Sequence, residues 1–286
     1  MTDAGSIERL LPGDHACVVV GDDHARLRSL TTFIRAGLRE HHRILYFGPG
    51  ADAIEAELGT AAAAALGSGQ LRMGTPETTY LASGAFDPRA TVEGWRVESA
   101  IARDAGYHGL RAIGDMSWAS RPVPGAELLA GYEAQVNRVF ADGYAMAMCL
   151  YDRRLFSEAE LQRVCWAHPA TVEDGTDPRG VPQLRAVRTG DPVGIRLEGE
   201  ADLTNRHALR AVMENLAADM PVTEEPLVVD VSGLRFIDAA AARILTGAAA
   251  ADATRIRVVG CTPAMRRLLV FNGASAITGL TVEPAA

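Results

Sequence analysis

The stretch LVVDVSGLRFIDAAAARILTGAAAA, residues 227–251, passes directly from a strand pattern to a helix pattern. Its first residues are apolar and mostly β-branched, which predicts a buried strand. Asp238 stands at the junction, where a carboxylate can cap a helix, and four alanines follow it. Taken alone, these alanines indicate only a helix start that packs closely on a sheet, because alanine is the best helix former.

The segment around this stretch, residues 192–286, repeats the strand-to-helix order three times. The flanking strands are VGIRLEGEADLTN and RIRVVGC, and the flanking helices are RHALRAVMENLAAD and TPAMRRLLVFNG. Pro263 fits the first turn of the last helix. A β-α-β-α-β-α order over this length predicts one small α/β domain.

Residues 1–170 show the same alternation on a larger scale. The strand patterns are ACVVVG (16–21), RILYFG (43–48), LRAIGDMSWA (110–119) and YAMAMCLYD (144–152), and amphipathic stretches separate them. This alternation predicts an α/β domain with a mostly parallel sheet and helices on both faces. Residues 171–191 contain few large apolar side chains and predict a linker, with room for one short strand near residues 184–187.

Composition and charge exclude several classes of protein. A net charge of −8 argues against a nucleic-acid-binding surface, which needs a basic stripe. All 28 basic residues are arginine, so the chemistry of a Schiff-base lysine or of a P-loop lysine is excluded. No apolar run approaches the roughly 20 residues that span a bilayer, and no secretory signal is visible. We therefore expect a cytoplasmic protein that binds neither nucleic acid nor membrane, with its four cysteines reduced in the core.

Three segments of the C-terminal domain carry a recognisable pattern: GEADLTN (199–205), DVSGLRFIDAAAARIL (230–245) and VVGCTPAMRRLLVFNGA (258–274). Together they resemble the STAS domain, the fold of the anti-sigma factor antagonists. In that family the loop after the second long strand reads acid, serine, serine or alanine, glycine, and a partner kinase phosphorylates the second hydroxyl. The resemblance matches Asp238 to the acid, Ala239 to the first serine, Ala240 to the phospho-acceptor and Ala241 to the glycine. It implies that these residues, with Ser232, bind the partner, and that the phosphorylation switch is absent.

Two longer segments of the N-terminal domain, residues 12–50 and 109–157, resemble the MEDS sensory domain. That family occurs beside histidine kinases, STAS domains and DNA-binding domains, and has been proposed to sense small hydrocarbon-derived molecules. The order of strands and helices also resembles that of the RecA/KaiC-type ATPases, of which this domain would be a remote, degenerate relative.

The ATPase resemblance raises the possibility of an enzyme. A phosphate-binding loop needs converging glycine N–H groups, a lysine, and a serine or threonine for Mg²⁺. The corresponding loop here, VGDDHARLRS (20–29), has one glycine, two acids and no lysine. Neither a Gly-x-Ser-x-Gly nor a Gly-x-Gly-x-x-Gly motif occurs. We therefore expect no enzyme activity and no cofactor. A divergent nucleotide-binding protein or NTPase, and a scaffold without switches, remain as alternatives.

Polar and aromatic residues follow three of the predicted strands of the N-terminal domain. Since parallel α/β sheets bind ligands at the carboxyl ends of their strands, these residues predict a small-molecule pocket. The alternative is that the aromatic rings close the sheet end and the acids cap helices. The candidate ligand-binding residues are Asp22, His24, Asp115, Trp118 and Tyr151.

Two histidine–cysteine pairs, HAC (15–17) and CWAH (165–168), could in principle supply metal ligands. Their spacing is not a known zinc pattern, and both cysteines fit core positions. The sequence therefore predicts no metal site.

These observations favour a cytoplasmic signalling regulator without enzyme activity. A sensor domain would precede a module that binds an anti-sigma factor kinase or a larger signalling assembly. Because Ala240 has no hydroxyl, control would have to come from the sensor, through an unknown ligand that changes exposure of the docking face. A homodimer is compatible with the sequence.

Overall fold

The computed structural model describes residues 4–173, 176, 177, 179, 183–221, 224–251 and 255–285. The chain forms two α/β units, each built on its own sheet. This confirms the fold class that the alternating patterns predict.

The first unit contains seven α-helices and six strands within the described residues. The helices are α1 (Ala4–Glu8), α2 (Asp23–Arg39), α3 (Ala51–Leu58), α4 (Thr60–Ser68), α5 (Pro88–Asp104), α6 (Leu129–Phe140) and α7 (Glu158–Cys165). The strands are β1 (His15–Val20), β2 (Arg43–Phe47), β3 (Leu71–Gly74), β4 (Leu110–Asp115), β5 (Ala145–Asp152) and β6 (Ala170–Val172).

The six strands of the first sheet are all parallel, in the order β3-β2-β4-β5-β1-β6. Every residue of the central strands β1, β4 and β5 is buried, which explains the nearly continuous apolar sequences of β1 and β5. Separate apolar clusters cover the two faces of the sheet, one under α2 and one under α5 and α6. The carboxyl ends of the parallel strands therefore meet at one edge of the sheet, where loops lead into the helices.

The second unit is smaller. Its strands are β7 (Leu184–Gly190), β8 (Val193–Ala201), β9 (Leu227–Ile237), β10 (Ile256–Cys261) and β11 (Leu280–Pro284). Its helices are α8 (Arg206–Glu214), α9 (Leu216–Asp219), α10 (Ala239–Ala251) and α11 (Pro263–Phe271). The sheet order is β11-β10-β9-β8-β7, with β7 antiparallel to β8 and the other pairs parallel.

The linker predicted over residues 171–191 needs correction. Residues 170–172 form β6 of the first sheet, and residues 184–190 form β7 of the second sheet. Leu184 and Ala186 alternate with polar residues and are buried in the second core, a period-2 pattern too short to decide the boundary from sequence. The second domain therefore begins near residue 184, and part of the remaining connection lies outside the described residues.

The two units contact each other through α6 and α8 and through backbone hydrogen bonds. The amide of Arg188 in β7 donates to the carbonyl of Ala141 at 2.7 Å, just beyond α6. The amide of Leu184 donates to the carbonyl of Pro169 at 3.0 Å. β7 therefore belongs to the second sheet and also lies against the first domain.

Among the described residues, none of the helices combines the length and the apolar character that crossing a bilayer requires.

Candidate functional site

Two of the predicted ligand-binding residues, Asp22 and Asp115, cap helices at the carboxyl edge of the first sheet. Asp22 is exposed and accepts a hydrogen bond from the amide of Ala25 at 2.7 Å, as the N-cap of α2. Asp115 is only 1% exposed and accepts from the amide of Ser117 at 3.0 Å, capping the 3₁₀ helix Met116–Ser120. Both acids thus adopt the capping role that was the alternative interpretation.

Arg26, which no sequence motif indicated, forms hydrogen bonds with several groups at this edge of the sheet. Its Nε donates to Asp115 Oδ2 at 2.6 Å, and its Nη2 donates to the hydroxyl of Tyr46 and to the carbonyl of Pro49, both at 2.6 Å. Burial raises the pKa of the Tyr46 hydroxyl, so it stays neutral. The guanidinium therefore joins α2 to the end of β4 and to the end of β2 with the loop that follows it.

The other three predicted residues point in different directions. Trp118 is 2% exposed, and its ring lies 4.9 Å from that of Phe86, centroid to centroid. Tyr151 is fully buried and donates its hydroxyl to Glu133 Oε1 at 2.5 Å, inside the domain. His24 is exposed on the first turn of α2. The five candidates therefore do not form one pocket.

Asp115 and Trp118 nevertheless line a common cavity of about 410 Å³ at the carboxyl edge, which we call the edge cavity. The Nε1 of Trp118 is buried and has no hydrogen-bond partner among the described residues. A small molecule with a hydrogen-bond acceptor could satisfy this group if the Trp118 ring turned towards the edge cavity. The edge cavity is lined by Pro49, Thr75, Pro76, Glu77, Asp115, Ser117, Trp118, Ser120, Arg121 and Leu155.

Two further cavities lie elsewhere. One of about 640 Å³ opens beside α7 and β6, close to the second domain. Another of about 420 Å³ lies against α5 and is walled by Phe47, Tyr80 and Trp95. Neither contains a candidate ligand-binding residue, although each is also lined by a residue with an unpaired buried polar atom, His168 in the first and Tyr80 in the second.

Inside the first domain the structure brings together His15, Glu133, Cys149 and His168, which we call the buried cluster. All four side chains are at most 5% exposed, and their potential ligand atoms lie within 4.8 Å of one another. Burial lowers the pKa of His168 to about 3, with a further lowering by His15, so this imidazole is neutral near pH 7.

The buried cluster differs from the histidine–cysteine pairing that the sequence suggested. His15 and His168 do meet, with ring centroids 4.1 Å apart. The sulfur atoms of Cys17 and Cys165 instead lie 3.6 Å from each other. Glu133 and Cys149 complete the cluster, and no local spacing could reveal them because the four residues lie far apart in the chain.

In the second domain, Asp238 and the first turn of α10, residues 239–241, form the candidate partner site, which we call the docking loop. Asp238 Oδ1 accepts from the amide of Ala241 at 2.7 Å, which confirms its predicted role as the N-cap of α10. Ala239 is exposed, Ala240 is half-buried and Ala241 is buried. Ser232 is exposed within β9, six residues before Asp238, and so lies outside this loop.

Two exposed apolar side chains lie at the same end of the second sheet as the docking loop. Phe236, near the end of β9, is 49% exposed, and Leu203, just after β8, is 46% exposed. β8 and β9 are parallel neighbours here, with Ala201 opposite Ile237. The docking loop therefore has apolar side chains at its border that a protein partner could cover.

Two family models match the chain. The model described as "MEDS: MEthanogen/methylotroph, DcmR Sensory domain" matches residues 14–169, more than half of the chain. The model described as "Mlab, STAS domain" matches residues 184–279. No curated protein matches the chain.

Solved structures similar to the chain include two archaeal proteins. The KaiC-like protein PH0186 from Pyrococcus horikoshii OT3 is 9% identical, with a TM-score of 0.40, over 62% of this chain and 78% of that one. The flagellar accessory protein FlaH from Methanocaldococcus jannaschii is 10% identical, with a TM-score of 0.39, over 68% of this chain and 80% of that one. The family matches confirm both resemblances found in the sequence: the chain belongs to the MEDS family, and a STAS domain follows its MEDS domain.

Proposed function

We propose that this protein is a cytoplasmic signalling regulator without enzyme activity, in which the MEDS domain senses a small molecule and the STAS domain binds a protein partner. A regulatory role is supported by the presence of both domains in one chain. The observation that carries the proposal is the polar contact between the domains, because a sensor can act on an output module only through groups that respond to both.

Two carboxylates make this contact. Asp219 of the STAS domain accepts hydrogen bonds from Arg138 on α6 at 2.7 and 2.8 Å. Asp14 of the MEDS domain accepts hydrogen bonds from Arg185 on β7 at 2.7 and 2.8 Å. Both carboxylates are at most 10% exposed, so the geometry of each pair has a larger energetic effect than it would on the surface.

Packed rings connect the edge cavity with α6. Trp118 lines the cavity and packs against Phe86, and the ring of Phe86 lies 5.3 Å from that of Tyr132 on α6. A ligand that displaces Trp118 would press on α6, whose last turn carries Arg138. Ligand binding would therefore shift α6 and, with it, the position of the STAS domain or the exposure of its partner-binding surface.

The start of α2 supports the absence of nucleotide hydrolysis. Its N-terminus is capped by Asp22 and carries Asp23, which pairs with Arg154 at 2.5 Å. Carboxylates therefore occupy the position where a triphosphate would need free N–H groups and a lysine. Arg26, the nearest cation of the loop, already binds Asp115.

The sequence of the docking loop supports a protein partner whose binding is not controlled by phosphorylation of this loop. A phosphate at the start of α10 would add about −1.5 to −2 charges beside the docked surface. Ala240 offers no hydroxyl for it. Partner binding would then respond to the ligand state of the MEDS domain.

The sensing half is tested by thermal shift of the full chain against panels of small metabolites and nucleotides. A specific ligand at a hundred times its Kd should stabilise the native state by about 2.7 kcal/mol. The shift should be lost in Trp118→Leu and kept in Trp166→Phe, since Trp166 lies outside the edge cavity. A nucleotide that both binds and is hydrolysed, with hydrolysis lost in Asp115→Asn, would overturn the proposal in favour of the NTPase alternative.

The partner half is tested by measuring affinity for a panel of anti-sigma factor kinases. The parent chain should bind one of them and remain unphosphorylated with ATP, whereas Ala240→Asp should weaken binding at least about tenfold. Ala250→Asp is the matched control, because Ala250 is exposed at the other end of α10. Equal affinity of Ala240→Asp and the parent would show that the docking loop is assigned wrongly.

A further inference from the structure

The four side chains of the buried cluster come from four separate elements. His15 begins β1, Cys149 lies in β5, Glu133 lies on α6, and His168 lies in the turn between α7 and β6. Convergence of two imidazoles, a carboxylate and a thiol in a core is unusual, because each polar group must be satisfied there.

The proton donors of both imidazoles point away from the centre. His168 Nδ1 lies 2.8 Å from the carbonyl of Val164, so this nitrogen must carry the proton. The Nδ2 of Asn137 donates to the carbonyls of Glu133 and Ala167, both at 2.9 Å, which turns its Oδ1 towards His15 Nδ1 at 3.0 Å. His15 Nδ1 must therefore be a donor as well, and each histidine turns an unprotonated Nε2 inward.

The centre of the cluster consequently contains lone pairs of nitrogen, oxygen and sulfur, with almost no protons to form hydrogen bonds between them. The Nε2 atoms of His15 and His168 lie 3.4 and 3.5 Å from the same oxygen, Glu133 Oε2. His168 Nε2 has no hydrogen-bond partner among the described residues. The thiol of Cys149 has a single proton to offer to the whole group. Lone pairs that face each other in a buried site repel, and a cation between them would remove the repulsion.

Four of the six separations between the potential ligand atoms match those of a tetrahedral metal site, and all six are within 4.8 Å. With Zn–N and Zn–O bonds near 2.0–2.1 Å and Zn–S bonds near 2.3 Å, tetrahedral geometry requires about 3.3–3.6 Å between ligand atoms. The cluster shows 3.4 and 3.5 Å for its two N–O separations. It shows 3.3 Å from His15 Nε2 to Cys149 Sγ, and 3.6 Å from Cys149 Sγ to Glu133 Oε2.

We propose that His15, Glu133, Cys149 and His168 bind a divalent transition-metal ion, Zn²⁺, in the core of the MEDS domain. The ion replaces the thiol proton, which leaves to solvent as a thiolate–zinc bond forms. One thiolate and one carboxylate then balance its two positive charges, so the filled site is neutral and suited to burial. Four protein ligands leave no open position, which is typical of a structural or regulatory zinc site and not of a catalytic one.

Outer groups hold these ligands in place. Tyr151 donates to Glu133 Oε1 at 2.5 Å and leaves Oε2 for the ion. Asn137 and the carbonyl of Val164 fix the two imidazoles, as outer hydrogen bonds do in known metal sites. Asn137 also precedes Arg138, whose side chain binds Asp219 of the STAS domain. Loss of the ion therefore loosens α6 at the domain contact, although the metal site does not depend on the proposed sensing function.

The test is the metal content of the full chain, produced without a histidine tag and measured by mass spectrometry of the elements. The expected result is close to one zinc per chain, retained by Cys17→Ser and lost in Cys149→Ser and Glu133→Gln. Cys17 is the matched control, because its Cα lies directly opposite that of Cys149 in the β1–β5 pair but its thiol is outside the cluster. Replacement of zinc by Co²⁺ should give a near-ultraviolet thiolate-to-cobalt absorption in Cys17→Ser and none in Cys149→Ser.

Wild-type protein decides the case if the ligand variants fail to fold. Chelation should lower its melting temperature, and Zn²⁺ but not Mg²⁺ should restore it. Less than about a tenth of an equivalent of metal, both as purified and after incubation of the folded chain with Zn²⁺, would mean that protons alone hold the cluster and would overturn the proposal. Equal zinc in Cys149→Ser and wild type would place the ion elsewhere.

Discussion

The guanidinium of Arg138 in the MEDS domain donates two parallel hydrogen bonds to the carboxylate of Asp219 in the STAS domain. Nε donates to Oδ2 at 2.8 Å, and Nη2 donates to Oδ1 at 2.7 Å. A second guanidinium, that of Arg188, lies 3.1 Å from the same carboxylate. Asp219 is 10% exposed and both arginines are less than a quarter exposed. One carboxylate thus pairs with two guanidinium groups at the contact between the domains.

Asp219→Ala should destabilise the chain by about 1.5–3 kcal/mol, because two partly buried guanidinium groups lose their charged acceptor. The measurement is urea unfolding, followed by tryptophan fluorescence and by circular dichroism. All three tryptophans, Trp95, Trp118 and Trp166, belong to the MEDS domain, so fluorescence reports mainly on that domain, although Trp166 also contacts Arg206 and His207 of the STAS domain. We expect the two signals to coincide in the parent and to separate in the variant, with circular dichroism changing first.

Glu57→Ala is the matched control for this prediction. Glu57 also pairs with an arginine, Arg35 at 3.1 Å, but both side chains are about half exposed. Exposed pairs of this kind contribute at most about 1 kcal/mol, so both transitions should stay together and move little. Separation of the signals in both variants would mean that Asp219 has no special role in joining the domains.

Arg26 and Asp115 should show strong energetic coupling. Arg26→Gln leaves the Asp115 carboxylate, 2% exposed, without its cation, and the expected loss is about 3 kcal/mol or more. Adding Asp115→Asn should recover part of that loss, because the uncompensated charge disappears. A double-mutant cycle from urea unfolding should therefore give a coupling of about 1–3 kcal/mol.

Arg28→Gln, two residues further along α2, serves as the control in the same cycle. Among the described residues, Asp115 pairs with Arg26 and not with Arg28. The change in unfolding free energy caused by Arg28→Gln should therefore add to the change caused by Asp115→Asn. If Arg26→Gln and Asp115→Asn were also additive, Arg26 would not be held in the way the geometry indicates.

The strand–helix order and the fold class could be predicted from the sequence because they depend on the spacing of apolar residues within each short segment. β1 and β5 are buried on both faces, so their sequences are nearly pure apolar runs, and α2 and α6 show helical spacing. A short strand near residues 184–187 was predicted, but as part of a linker. That this strand, β7, extends to residue 190 and pairs with β8 in the second sheet is seen only in the structure.

The candidate site was predicted less well, for a physical reason. Position after a strand correctly brought Asp115 and Trp118 to one edge, since parallel strands end together. It could not show that Tyr151 turns inward to Glu133, because side-chain direction depends on the last residues of each strand. The contacts of Arg26 and the buried cluster join elements distant in sequence, and no local pattern encodes such pairings.

His42 should make stability depend on pH in the mildly acid range. Its ring is 6% exposed, and burial, followed by the nearby Arg111, lowers its pKa from 6.5 to about 4, while Glu40 acts in the opposite direction. Arg111 Nε donates to His42 Nδ1 at 3.2 Å, a bond that protonation of this nitrogen would break. Between pH 6.5 and about 4 the unfolded chain therefore binds a proton that the folded chain does not, and stability falls as pH falls through this window.

The stability difference between wild type and His42→Gln should accordingly shrink when the pH of urea unfolding is lowered from 7 to 5. Gln can still accept from Arg111 but does not titrate. His24→Gln is the control, because His24 is exposed on the first turn of α2. A difference that stays constant with pH would contradict the neutral, buried state of His42.

Gly194 should be indispensable for the STAS sheet. A Cβ at this position of β8 would overlap the carbonyl oxygen of Val228 in the adjacent strand β9, and a backbone atom in a central strand cannot move aside. Gly194→Ala should therefore cost about 3 kcal/mol or more and unfold the STAS domain first, visible as early loss of circular dichroism while Trp95 and Trp118, buried in the MEDS domain, keep their native emission. Gly247→Ala is the matched control: Gly247 is exposed on α10 with open space around it, so alanine should stabilise the helix by up to about 1 kcal/mol. If Gly194→Ala instead shifted both signals together, the free energy of the domain contact would exceed the loss at Gly194, and the expected cost of the added Cβ would be too high.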